Sequence, residues 1–171
     1  MPRHRPGSGH LNLSPWWLPK EPAIAANSHL TVAVHALCWL ELSSRRGTPT
    51  LTSERIAASL DSNPALVRRS LAPLRDAGLL VTGRGPGSGW ALGRPASRIT
   101  LRDVHEAIGV MPAFDLHAHE PNQECPVGFG IRPVLSAVYD DVDRAVADRL
   151  DRTTIADLLD TILRDRPLPV G

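Results

Sequence analysis

The sequence predicts a mainly α fold with one small β-hairpin: a helix–turn–helix head closed by the hairpin, then a long C-terminal helix. Three observations carry this. Two short amphipathic segments, TSERIAASL and NPALVRRSLAPLRDAGLL, meet at Asp61-Ser62-Asn63. The glycine-rich stretch GRGPGSG separates two short apolar runs, Leu79–Thr82 and Trp90–Leu92. From about Ile131, apolar residues recur at spacings of three and four through position 150, the pattern of one long helical stripe. At 171 residues the chain is one modest domain, or a small domain with an appendage, and is long enough to bury a core.

The elements follow in order. Residues 1–26 hold Pro2, Pro6, Pro15, Pro19 and Pro22 with scattered glycines and no apolar h-region. They read as a disordered N-terminal extension in which Trp16-Trp17 is the one docking element, or as the product of a mis-set start. Asn27-Ser28 offers a cap, and HLTVAVHALCWLELSSRR reads as the central core helix, ending at Gly47. Thr48–Leu51 is an extended link. Thr52 caps the next helix, whose Ile56, Ala57 and Leu60 form its inner face. Pro64 then stands at the first position of a helix over about 63–77, where proline is favoured.

In that helix Leu66, Val67, Ser70, Leu71, Leu74 and Ala77 gather on one side. Ala65, Arg68, Arg69, Ala72, Arg75 and Asp76 fall on the other, so small residues flank the arginines. Pro73 costs an interior helix roughly 3 kcal/mol, which predicts a bend or a tight contact there. Gly78 ends the helix. The hairpin over about 79–93 carries Arg84 at its tip, and Thr100-x-x-Asp103 resembles a capping box opening LRDVHEAIG. Residues 110–130 read as a loop, followed by the long helix, and Thr154-x-x-Asp157 opens a last helix, IADLLDTIL.

The net charge of +1 hides an asymmetry. Residues 1–100 hold 12 Arg/Lys against 5 Asp/Glu, and residues 101–171 hold 7 against 13, balances of +7 and −6. A polyanion suits the basic half. Duplex DNA has a major groove wide enough for one helix whose N-terminal residues meet base edges. Ser62 and Asn63 supply the short polar start, Pro64 the entry, and Arg68 and Arg69 the outward cations. Thr52 and Ser53, at the start of the preceding helix, are further DNA-binding candidates. Arg84 among glycines suits a minor-groove or phosphate contact, because glycine lets backbone approach backbone. The competing reading is a solvated arginine face; the order of features within a basic half favours double-stranded DNA.

At these residues the chain resembles the Rrf (type two) family of winged-helix transcriptional regulators. The resemblance runs from about Asn27 to Leu163 and is most specific over 63–80 and 83–109. It implies a winged helix-turn-helix head over 27–109, an effector or sensor loop over 110–130, and a dimerisation helix with a C-terminal helix over 131–171. It implies a homodimer in which the long helix crosses to the partner and two heads read a palindromic operator; the two cysteines, too few for a disulfide framework, fit a cytoplasmic protein. It places Asn63, Pro64, Arg68 and Arg69 on the recognition helix and Arg84 in the wing.

Cluster-binding members carry three cysteines in the loop before the long helix. This chain has one there, Cys125, and its only other cysteine, Cys38, falls in the core helix. The resemblance is therefore to the cluster-free branch, with no iron–sulfur cluster and no other cofactor expected. Cys125 has two readings. Standing before a helix, it is a redox-sensing candidate, although Glu124 beside it opposes the helix dipole; the bland reading, which is favoured, is a small residue packed under the loop. His117-x-His119-Glu120 with Cys125 has zinc-ligand chemistry but no supporting CxxC or HExxH, so a solvated loop is favoured and no metal is assigned. No oxyanion device or orienting third residue accompanies the cysteine, so no catalytic residue is assigned. No run of about 18 apolar residues could span a bilayer. The residues thus predict a DNA-binding repressor that is not an enzyme, responsive to a thiol signal if Cys125 acts, with no effector singled out. The runner-up is a winged-helix module that binds another protein.

Overall fold

The computed structural model describes residues 28–83, 89–109 and 112–165. The expected N-terminal extension, the hairpin tip with Arg84 and the residues after 165 lie outside these.

Helix α1 (Ser28–Arg45) is the centre of the head, with Ala33, Ala36, Leu37 and Leu40 fully buried. Gly47, at φ +82, lets the chain turn out of it at a backbone angle that a side chain disfavours. Helix α2 (Ser53–Ser59) pairs with α3 (Pro64–Asp76) as a helix–turn–helix; α3 packs against α1, and α2 is tied to α1 by the His35–Ser59 hydrogen bond at 2.9 Å. Thr52 accepts from the Arg55 N–H at 3.4 Å and Asn63 from the Leu66 N–H at 2.8 Å, so each helix starts at a side-chain cap. Val67, Leu71 and Leu74 are the buried face of α3; truncating either leucine to alanine removes about 2–5 kcal/mol.

The end of α3 is closed by the Gly78 N–H on the Arg75 carbonyl (2.9 Å) and the Leu79 N–H on the Leu74 carbonyl (2.8 Å), with Gly78 at φ +72. Pro73 lies inside the helix, which continues to Asp76. The carbonyl it cannot serve is that of Arg69, an exposed residue, where water can take the place of the missing N–H.

Strands β1 (Leu80–Thr82) and β2 (Trp90–Leu92) pair antiparallel, Val81 opposite Ala91. Leu51 also pairs with Trp90, exchanging hydrogen bonds of 2.8 and 3.0 Å. The expected plain link thus ties the hairpin to the start of α2. Gly89 makes the approach possible, since a Cβ there would stand 2.7 Å from the Leu51 carbonyl oxygen. After a short 3-10 turn (Ala96–Arg98), α4 (Leu101–Ala107) opens on the expected capping box of Thr100 and Asp103.

Two boundaries differ from expectation. Helix α5 (Pro126–Asp151) begins at Pro126, so 126–130 belongs to the helix and not to the sensor loop. Pro126 takes the first helical position, and Gly128 does not stop the helix because it packs against the Asn122 backbone, where a Cβ would collide. The second concerns α6 (Ile155–Asp165), which is part of the head. The Ile155 N–H meets the Ile99 carbonyl and the Leu101 N–H the Thr153 carbonyl, both at 2.9 Å, and Ile155 and Leu159 are buried. The head's core is therefore completed from beyond residue 109.

Helix α5 has 26 residues and none is buried. It is held near its C-terminal half by α4 and by the Ala113 N–H on Asp143 at 2.9 Å, and Phe114 lies against Tyr139. Val127, Val134, Val138 and Ala145 are exposed, with Ile131 and Val142 half-buried beside them. At about 100° per residue these six share a sector of roughly 80°.

Candidate nucleic-acid interface

Capping by Asn63 and the fixed φ of Pro64 set the direction in which α3 leaves the turn, and its buried leucines set its rotation. Arg68, Arg69 and Arg75 are consequently all exposed. Arg68 and Arg75 are seven residues apart, within roughly 20° on the helix, whereas Arg69 points about 100° away from Arg68. Between α2, α3 and the hairpin lies an open groove of about 430 Å³. Arg68 and Arg75 line one wall, Thr52, Ser53 and Glu54 another, and Thr82, Gly83 and Trp90 the hairpin side.

Glu54 Oε1 lies 3.5 Å from Arg68 Nη1, joining α2 to α3 at this groove. The Glu54 carboxyl is held below the usual carboxylate range by its own backbone N–H, the Thr52 hydroxyl and Arg68. Arg75 pairs with Asp76 at 2.8 Å. Among the described residues no carboxylate lies within 4.0 Å of Arg69.

The expected contact residues fall into distinct groups. Ser62 is exposed at the turn, its backbone N–H on the Ala57 carbonyl at 3.0 Å. Asn63 is exposed, but its Oδ1 is committed to the cap, leaving the amide nitrogen to reach outward. Pro64 is half-buried. Thr52 is a cap that also supports Glu54. Ser53 corrects the sequence reading: it is 7% exposed, and its hydroxyl accepts the Trp90 indole N–H at 3.0 Å. The hydroxyl therefore binds the hairpin to α2 at the inner edge of the groove and is committed to the indole. Arg84 lies outside the described residues. Sequence reasoning passed over Arg75, Glu54 and Trp90 as site residues; the seven-residue spacing of Arg68 and Arg75 would have found the first.

Cys38 is buried against the Ile155 carbonyl, and burial, with Glu41 nearby, pushes its thiol up to about 11. Cys125 is exposed immediately before α5. His117, His119 and Glu120 are exposed, and among the described residues no three His, Cys, Asp or Glu side chains gather to hold a metal ion. A thiolate-held cluster needs several cysteines converging, and here one is in the core and one on the loop. The donor set does not fit such a cluster. No described helix is long and apolar enough to cross a membrane.

A family profile described as Rrf2, iron-dependent transcriptional regulator, matches residues 26–161. The chain belongs to the Rrf2 family. It is 31% identical over 133 residues to YwnA of Bacillus subtilis, named as an HTH-type transcriptional regulator, spanning 78% of this chain and 96% of that one. Solved structures that share the fold include two regulators, each 22% identical to this chain. The IscR of T. potens has a TM-score of 0.61 over 84% of this chain and 91% of its own. CymR of B. subtilis, the global cysteine regulator, has a TM-score of 0.52 over 77% and 95%. Rrf2 proteins are transcriptional regulators and not enzymes, with a winged-helix DNA-binding fold. In this Rrf2 protein the winged helix is α2, α3 and the β1–β2 hairpin.

Proposed function

We propose that this chain is a cytoplasmic, homodimeric repressor that occupies a palindromic operator in double-stranded DNA. The observation that carries the reading is the exposed arginine face of α3 beside the open groove toward the hairpin. Arginine contacts to phosphate supply salt-sensitive affinity, while Arg68, Arg69, Ser62 and the Asn63 amide supply base readout. The unburied apolar sector of α5 supports pairing with a second copy, and a two-fold dimer matches a palindrome.

Gel-shift titration against the DNA upstream of its own gene, at several salt concentrations, tests this. Arg68→Ala or Arg69→Ala weakens operator binding by about 1–3 kcal/mol, roughly 5- to 150-fold, with dimerisation intact. A double variant that binds operator as tightly as wild type removes α3 from the interface. Dimers with no affinity for duplex at any salt favour the protein-binding alternative. Cys125, exposed at the start of α5, is the thiol proposed to answer an oxidant.

A further inference from the structure

The geometry points to Glu54 as a positioning residue for Arg68: it holds the guanidinium in one orientation across the groove, so that Arg68 meets guanine in one register and is withheld from phosphates. This rests on the DNA-binding reading of the same groove.

The arginine fork suits two partners of similar shape, a carboxylate and the O6/N7 edge of guanine. A free arginine on an exposed helix serves any phosphate within reach, which raises affinity without selecting sequence. Arg68 is not free: Nη1 stands 3.5 Å from Glu54. Glu54 stands in the first turn of α2, whose start is fixed by the Thr52 cap. The restraint therefore runs from the capped start of α2 through Glu54 to Arg68.

A carboxylate at the mouth of a cationic groove also repels phosphate. For a protein that needed only affinity for DNA, it would be a liability. Selectivity rises when the wrong complex is made worse. Glu54 penalises a phosphate in the Arg68 position while leaving a guanine edge acceptable. Its side chain is 65% exposed and is not used in core packing, so its removal leaves the fold in place.

The test uses the full chain, an operator selected from a random duplex library, and a random-sequence duplex of equal length. Glu54→Gln should bind the random duplex several-fold more tightly and lower the operator-to-random ratio about tenfold, chiefly at one G·C position. In an Arg68→Ala background, Glu54→Gln should leave that ratio unchanged, because Glu54 acts through Arg68. A wild-type preference that Glu54→Gln leaves intact overturns the role of Glu54 alone. An equal fall in both backgrounds also overturns it, since Glu54 would then contact DNA directly. A wild-type chain with no sequence preference overturns the operator reading and this inference with it.

Discussion

Replacing Ser53 with alanine separates a structural hydroxyl from a DNA-contacting one. Ser53 and Trp90 are 7% and 6% exposed, and the indole N–H reaches the serine oxygen at 3.0 Å. Alanine removes the acceptor and leaves a buried donor unpaired, which costs about 1–3 kcal/mol. For a chain of this length that lowers Tm by roughly 2–10 °C. Once corrected for the folded fraction, operator affinity at 20 °C should stay within about twofold of wild type, because both groups are nearly buried and bonded to each other at the inner edge of the groove. Thermal unfolding followed by circular dichroism at several protein concentrations reads the first quantity, and fluorescence anisotropy with a labelled operator reads the second. A Ser53→Ala variant with unchanged Tm and operator binding weakened by about 0.5–1.5 kcal/mol would refute the reasoning and restore a contact to DNA.

Three further outcomes follow from other parts of the molecule. Val134→Asp with Val138→Asp should convert the proposed dimer to monomers in analytical ultracentrifugation while the head stays folded, since these side chains are 62% and 50% exposed within the chain; a surviving dimer excludes this sector as the interface. Burial pushes the Asp103 carboxyl up, but the Thr100 N–H, Arg94 and the Thr100 hydroxyl outweigh it, and Asp157 is held low by Thr154. Folded pKa values lowered in this way stabilise above about pH 4, and the contribution is lost as pH falls through the folded values. Asp103→Asn should flatten the acid limb of a Tm-versus-pH curve, and an unchanged limb would assign the loss elsewhere. Iodoacetamide at pH 8 should label Cys125 in the folded protein and reach Cys38 only after unfolding, because a thiol near 11 is ionised to roughly one part in a thousand at that pH. If Cys125 is the sensor, Cys125→Ser abolishes oxidant-driven release from the operator, and unchanged release removes it from the mechanism.

Local chemistry made much of this fold legible. Thr52, Asn63, Thr100 and Thr154 announce their helices because a cap acts within three residues of itself. Val67, Leu71 and Leu74 show which side of α3 is inward, and with that the exposure of Arg68, Arg69 and Arg75 follows. The start of α5 was less legible: Gly128 and Gly130 read as loop residues, and only the packing of Gly128 on Asn122 explains the helix there.

The sequence by itself determined the caps, the order of elements and the outward arginine face, because each depends on neighbours a few residues away. Only the tertiary structure decided which polar side chains near that face are available. Ser53 and Glu54 are adjacent on one short helix; one is turned inward to Trp90, 37 residues later, and the other outward to Arg68. Docking α6 onto α1 is likewise decided by Ile155 and Leu159 finding apolar partners more than a hundred residues away. Periodicity names the face of a helix that must be covered, and it is silent about what covers it.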